Sequence, residues 1–366
     1  MAHTNSVLPL FSERATSLPG SPIRALLSKH RDPDTLDLGG GIPDLDLFPS
    51  AQLAEVASRV IRDHATQSLQ YAPTEGLLPL RQWITLQLNR RGCRLKPEQI
   101  IITHGSQQAL ATVASLLTSR LQRVALEQPG YPGAQQAFTL AEADVVSLPV
   151  TQQGWDLDAI KDQPASAMYV IPNFQNPTGR KASPLARREL VEYAEQTGTF
   201  LIEDDAYGEL DFGGAPQRPL MADAETRGIL LGTFSKTLCP GMRVGWVAAP
   251  VALIEPMVRI LQASSLQPGT LAQHLAWGII EQIDWPSHLA QLRAAYRTRA
   301  FALAGRCAAL GLTSNAPSGG FFLWVRTPSN ATAFAECAAS RGVFSVPESA
   351  FRSPHHPGSD RHLRLA

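Results

Sequence analysis

Between residues 99 and 250 the chain repeats one pattern, a short run of aliphatic, mostly β-branched residues followed by a stretch with helical spacing. The runs are Ile100-Ile101-Ile102-Thr103, Val124-Ala125-Leu126, Met168-Tyr169-Val170-Ile171, Phe200-Leu201-Ile202, Ile229-Leu230-Leu231 and Val244-Gly245-Trp246-Val247. They are continuously apolar rather than alternating, as strands are when helices cover both faces of a sheet. Strands and helices in alternation predict an α/β fold with a mostly parallel sheet. The chain ends read differently. The first 50 residues are punctuated by Pro and Gly, including Gly39-Gly40-Gly41-Ile42-Pro43 and Phe48-Pro49. A helix is expected from Ser50, taken as its N-cap, with Leu53, Val56, Val60 and Ile61 apolar. Past residue 250, a helical stretch with Leu289, Leu292, Ala295, Tyr296 and Leu303 leads to Gly319-Gly320-Phe321-Phe322-Leu323-Trp324-Val325, expected as a strand of a second, smaller sheet. The expected architecture is a central α/β domain flanked by a smaller domain built from both chain ends.

Composition narrows the chemistry. Of 366 residues, 32 are basic and 32 acidic, a balance that argues against nucleic acid or an anionic membrane as the main partner. Only five of the basic residues are lysines (Lys29, Lys96, Lys161, Lys181, Lys236), so chemistry needing a primary amine has few candidates. Cys93, Cys239, Cys307 and Cys337 lie far apart with no metal-ligand spacing, which reads as four reduced thiols and no metal. The start, MAHTNSVLPLFSERATS, lacks the basic region and apolar core of a signal peptide, and no stretch has the length of a membrane span. A cytoplasmic protein is expected. His355-His356 reads as an exposed Pro-rich loop, His104 as a strand-end residue without a catalytic part, and the tryptophans as core and interface residues.

In open α/β sheets, ligands bind beyond the carboxyl ends of the strands. After Thr103 comes His104-Gly105-Ser106-Gln107, opening an apolar helix. Free backbone N–H groups, a hydroxyl and the positive end of a helix dipole suit a phosphate there, although the same pattern serves as a plain turn and cap. After Ile171 comes the rigid turn Pro172-Asn173-Phe174-Gln175-Asn176-Pro177-Thr178-Gly179. After Ile202 come Glu203-Asp204-Asp205-Ala206-Tyr207; three adjacent acids repel, so at least one needs a cation or a raised pKa. After Leu231 come Gly232-Thr233-Phe234-Ser235-Lys236, then Arg243. A lysine at converging strand ends is a candidate Schiff-base amine.

Together these groups describe one cofactor. Gly105, Ser106, Gln107, Thr233, Ser235 and Arg243 form a phosphate cradle, Lys236 offers the amine, and Asp204 offers a carboxylate for a pyridine nitrogen. Asn176 and Tyr207 offer donors for a phenolate oxygen. Pyridoxal phosphate (PLP) requires this set.

The motifs YAPTEG, THGSQQAL, NPTG, EDDAYGEL and GTFSKTLCPGMRVGW resemble the fold-type-I, class I/II aminotransferases that use pyridoxal phosphate. SPIR, LGGGIPDLDLFP, SSLQPGT and GGFFLW look most like the subgroup holding 2-aminoadipate and kynurenine aminotransferases. The resemblance spans essentially the whole chain. It implies a large domain with a seven-stranded, mostly parallel sheet over residues 50–284, and a small α+β domain from residues 1–49 and 285–366. It further implies that Lys236 forms the internal aldimine, that Asp204 pairs with the pyridine nitrogen, and that Asn176 and Tyr207 contact the ring's 3-oxygen. Tyr131 would stack on the ring, and Tyr71 of a second subunit would reach the phosphate, which implies a homodimer with shared sites. Arg364 would grip the substrate α-carboxylate, with Gly40 and Asn176 beside it and Arg24 near the distal end of the substrate. The implied activity moves an amino group from an aromatic, aliphatic or 2-aminoadipate-like amino acid to a 2-oxo acid such as 2-oxoglutarate.

Three departures from the family pattern stand out. The chain ends two residues past Arg364, where relatives continue through a terminal helix, which puts the rigidity of the Arg364 segment in question. Glu348, in Val346-Pro347-Glu348-Ser349, stands where relatives commonly have Pro-Gly and is expected near the substrate entrance. Several motifs also resemble the sensor half of GntR-type transcription regulators. A PLP-binding sensor and a PLP lyase on the same scaffold therefore remain as alternatives.

Overall fold

The computed structural model describes residues 11–12, 15–16, 18, 20 and 35–366, apart from 121, 163 and 354–357. Thirteen strands are described: β1 (Leu36–Asp37), β2 (Ile100–Thr103), β3 (Arg123–Gln128), β4 (Asp144–Pro149), β5 (Ala167–Val170), β6 (Phe200–Asp204), β7 (Gly228–Thr233), β8 (Gly245–Ala248), β9 (Thr313–Ser314), β10 (Leu323–Arg326), β11 (Val343–Phe344), β12 (Val346–Pro347) and β13 (His362–Leu365). Seven form one sheet in the order β2-β8-β7-β6-β5-β3-β4. The pairs from β7 through β4 are parallel, whereas β8 runs antiparallel to both β2 and β7. Strands β2, β5 and β7 are buried along their whole length, which explains their continuously apolar sequences.

Helices cover both faces. On one side Ser106–Leu117 and Val251–Ser265 pack Leu110, Val113, Met257 and Leu261 against Ile101, Ile229 and Val247. Elsewhere Ser50–Asp63, Leu78–Arg90 and Thr270–Gln282 bury Val56, Leu80, Ile84 and Ile279 with Ile100, Ile102 and Leu230. The expected N-cap at Ser50 is corrected. Ser50 is the first helical residue and Pro49 the cap; the Ser50 hydroxyl donates back to the Phe48 carbonyl oxygen, so it satisfies no helical N–H.

The 25-residue helix Trp285–Ala309 buries Leu289, Leu292 and Tyr296 and leads to a four-stranded sheet, β12-β13-β10-β9. Strand β10 lies at the end of the Gly319–Val325 run, whose first residues bond the backbone of Leu210 and Asp211 instead of joining the small sheet. Gly319 and Gly320 pack on the Phe174 ring, where an added Cβ would come within 2.2 and 2.6 Å of Phe174 side-chain atoms. Strand β1 pairs with β11 in parallel, and the Ala366 N–H donates to the Leu38 carbonyl at 2.8 Å. The glycine run that follows β1 thereby lies beside the chain's last strand. Among the described residues no helix is long and apolar enough to cross a membrane, and no three His, Cys, Asp or Glu cluster as a metal site would require.

Candidate active site

The strand ends converge on a cavity of about 850 Å³, within the range of small-molecule sites and ample for a cofactor with a substrate. Its anion-binding corner begins where β2 ends. Gly105 has φ +74° and caps the helix Ser106–Leu117 with no side-chain capping bond, leaving the first helical N–H groups for a ligand. Arg243, itself left-handed at φ +53°, is held by the carbonyls of His104 (3.2 Å) and Pro240 (3.3 Å). The last residue of β7, Thr233, donates to Ser235 Oγ at 2.9 Å and accepts from the Ser235 N–H at 3.1 Å. Gly245 of β8 passes directly beneath this corner. A Cβ there would lie 2.6 Å from the Gly105 carbonyl carbon and 2.7 Å from the Ser106 nitrogen.

Lys236 follows Ser235 by one residue and projects into the cavity, where Nζ donates to the Gly41 carbonyl at 3.2 Å. Burial, with Arg364 and Arg243 nearby, pulls its amine down to about 8. That leaves a useful fraction neutral and nucleophilic near neutral pH.

The three acids at the end of β6 are not a solvated loop. Glu203 and Asp204 are buried on the strand, and the Asp205 side chain is buried beside them. Glu203 lies 3.5 Å from Arg187, and Asp205 accepts from Arg91 at 2.6 Å. Burial opposes ionisation of Asp205, but the Arg91 guanidinium outweighs it and holds the carboxyl below its usual range. Asp204 has no such partner. Burial pushes its carboxyl up to about 6, partly offset by the Tyr169 hydroxyl donating to Oδ2 at 2.7 Å. Asp204 Oδ1 is buried and has no hydrogen-bond partner.

At the far side, Arg364 lies on β13, between β10 and β12, and is 2% exposed. Its Nη1 donates to Asn176 Oδ1 at 2.9 Å and its Nη2 to the Gly39 carbonyl, while Nε is unpartnered. Its guanidinium carbon is 4.7 Å from the Phe322 ring centre and 4.8 Å from that of Phe351. Such cation–π contacts are worth about 2 kcal/mol when desolvated. This residue is held firmly, because its strand is internal to a sheet and its head is held on four sides.

Gly40, Tyr131 and Tyr207 also line the cavity, and Tyr131 donates to Gln107 Oε1 at 3.0 Å. Tyr71 does not; in the single chain it is 77% exposed. Arg24 and the His355-His356 pair lie outside the described residues. The expectation for Glu348 is corrected. It is 2% exposed, away from the cavity, and its oxygens accept from Arg352, the Arg361 N–H and His362 Nδ1. A buried acid so fully paired has no acceptor left for a substrate. Tyr169, Arg91, Arg187 and Phe322 escaped the sequence reading. A lone phenol inside the aliphatic strand β5 was the one usable signal among them.

The residues fit pyridoxal phosphate: an orphaned carboxylate oxygen, an uncapped helix start cradled on glycine, and a buried amine share one cavity. Comparisons agree. Residues 33–365 match the family model "Aminotransferase class I and II", and the chain belongs to that family. The aromatic-amino-acid aminotransferase 1 of Thermococcus litoralis is 33% identical over 357 residues, covering 93% of this chain and 86% of its own. The 2-aminoadipate transaminase of Thermus thermophilus is 34% identical, covering 97% and 91%. A solved α-aminoadipate aminotransferase from Thermus thermophilus, complexed with N-(5'-phosphopyridoxyl)-L-leucine, superposes with a TM-score of 0.90 at 33% identity, covering 99% of this chain and 93% of that one. The protein is a fold-type-I, pyridoxal-phosphate-dependent aminotransferase.

Proposed function

We propose that the protein moves the amino group of an aromatic, aliphatic or 2-aminoadipate-like amino acid to a 2-oxo acid such as 2-oxoglutarate, with Lys236 as the catalytic amine. The observation that carries this reading is the single cavity holding the depressed Lys236 amine, the unpartnered Asp204 oxygen and the Arg364 guanidinium. When bound, pyridoxal phosphate supplies an aldehyde for the amine and a ring that withdraws electrons from the substrate α-carbon. In this reading Asp204, the one acid of its trio without a cation, holds the proton of the pyridine nitrogen. Ser106, Gln107, Thr233, Ser235 and Arg243 hold the phosphate, with Gly105 shaping the turn. Tyr131 covers one ring face, and Asn176 and Tyr207 steady the 3-oxygen. Nζ of Lys236 would take up the α-proton and give it to the former aldehyde carbon on the other side of the amino nitrogen, a 1,3 shift. The open N–H groups of Arg364 orient the substrate carboxylate bidentately, with Gly40 and Asn176 beside it.

The same reading divides the chain into residues 1–49 and 285–366, forming a small domain, and residues 50–284, forming the large one. It makes the protein a homodimer in which Tyr71 of each subunit completes the other's phosphate site. Four cysteines without a disulfide fit a reducing, cytoplasmic setting.

Cations for a second, distal carboxylate are scarce. Of the described residues lining the cavity, the basic ones are Lys236, Arg243 and Arg364, each with a role already. Arg24, in SPIR, is the proposed fourth. The test is glutamate formation from 2-oxoglutarate and a panel of amino acids, in the wild type and in Arg24→Ala. Transamination is expected, and Arg24→Ala should raise KM for 2-oxoglutarate about tenfold, or about 1.4 kcal/mol, with little change for an apolar donor. Ligand binding without glutamate would favour the sensor reading, and amino-acid breakdown without glutamate the lyase. Equal losses for diacid and apolar substrates would confine Arg24 to supporting the fold.

A further inference from the structure

We propose that Glu127, on strand β3 and outside the cavity, is a positioning residue that clamps the loop Asn173–Gly179 through Gln175 and so holds Asn176 against Arg364. The inference rests on the roles given above to Asn176 and Arg364. Glu127 is 3% exposed, and among the described residues it has no basic partner. Its Oε1 accepts from Trp155 Nε1 at 2.7 Å and from the Ile171 N–H at 3.0 Å; its Oε2 accepts from Gln175 Nε2 at 3.0 Å. All three neighbours are donors, so a carboxylate satisfies them together, whereas a group carrying its own N–H cannot.

Gln175 passes the constraint on. Its Nε2 also donates to the Pro129 carbonyl at 2.9 Å, while its Oε1 accepts from the Thr178 N–H at 2.9 Å and the Thr178 hydroxyl at 2.7 Å. Asn176, adjacent in the chain, meets Arg364 at 2.9 Å. Every polar atom of the Gln175 amide thus ties one end of the loop to the other or to the end of β3.

The loop needs such a clamp. Phe174, immediately before Gln175, has φ +54°, a left-handed conformation that is strained for a bulky side chain and persists only where the surroundings over-determine it. Glu127 and Gln175 supply that determination from one side, and the glycines against the Phe174 ring supply it from the other.

Glu127→Gln keeps the shape but turns an amide N–H toward donors. In the holoenzyme it should raise KM for the best amino donor about tenfold or more while kcat changes less than about threefold. It should also move the pH midpoint of the cofactor's visible absorption, read without substrate, because Asn176 faces the 3-oxygen. Asn176→Ala should move both quantities in the same direction. Gln175→Leu should reproduce Glu127→Gln, and the double variant Glu127→Gln/Gln175→Leu should be no worse than the poorer single, since both cut one clamp. If Asn176→Ala moves both quantities and Glu127→Gln moves neither, the clamp is refuted and the site reading survives. If Asn176→Ala moves neither, the reading of Asn176 fails and takes this inference with it. Additive losses in the double variant would refute the route through Gln175. Should Glu127→Gln not fold, Gln175→Leu carries the test alone: displaced KM and midpoint support the clamp, wild-type values overturn it.

Discussion

Glu203, Asp204 and Asp205 are neighbours in sequence, yet the fold gives each a different charge environment. Arg187 faces the first, Arg91 the third, and Asp204 accepts from the Tyr169 hydroxyl with no guanidinium beside it among the described residues. The acid left without a cation is the one lining the cavity, which makes it available to a ligand's proton. Repulsion within the trio was legible in the sequence; the arginines that resolve it were not, because Arg91 and Arg187 lie far off in the chain and no spacing rule links them to β6. Lys236 was legible because only five lysines exist and one follows a strand end between hydroxyls. Gly245 carries a sharper residue-level prediction. Its missing Cβ leaves room for the Gly105–Ser106 backbone, with 2.6 Å to the nearest atom, and backbone cannot step aside as a side chain can. Gly245→Ala should destabilise the fold by about 1–3 kcal/mol in denaturant unfolding and weaken pyridoxal phosphate binding at least tenfold. Unchanged cofactor affinity would show that the cradle does not depend on this contact.

Among elements, the buried strands announced themselves and the half-exposed edge strand did not. Strand β4 (Asp144–Pro149) is the edge opposite β2, only partly buried, and its sequence DVVSLP lacks the continuous apolar run that marked the others. The antiparallel direction of β8 was equally hidden, because a run buried on both faces reads the same either way along the chain. Ser50 misled for a local reason: capping residues and first-turn residues share a composition, and Pro49 took the cap. The departure at Glu348 looked functional because of its place in the chain, but three neighbouring residues consume its oxygens. Strand β13 shows the opposite case. Its sequence showed no strand pattern, yet pairing with β10 on one side and β12 on the other fixes it.

For the whole molecule, the exposed Tyr71 matters most. Leu69 and Leu266 are 61% and 51% exposed, and Thr74 Oγ1 ties this segment to the Leu266 carbonyl at 2.9 Å. An apolar surface around a tyrosine assigned to a phosphate site is what a shared-site dimer presents before pairing. Sedimentation at assay concentration should therefore give a dimer; a fully active monomer would overturn the shared site. The proposed chemistry depends above all on Lys236 as the amine that holds the cofactor. Borohydride reduction of the holoenzyme, followed by digestion and mass spectrometry, reads this directly. The cofactor's mass should appear on the peptide bearing Lys236 and on none bearing Lys29, Lys96, Lys161 or Lys181, and Lys236→Ala should lose both the reducible linkage and transamination. Label on another lysine, or a reducible linkage that survives Lys236→Ala, would contradict the account.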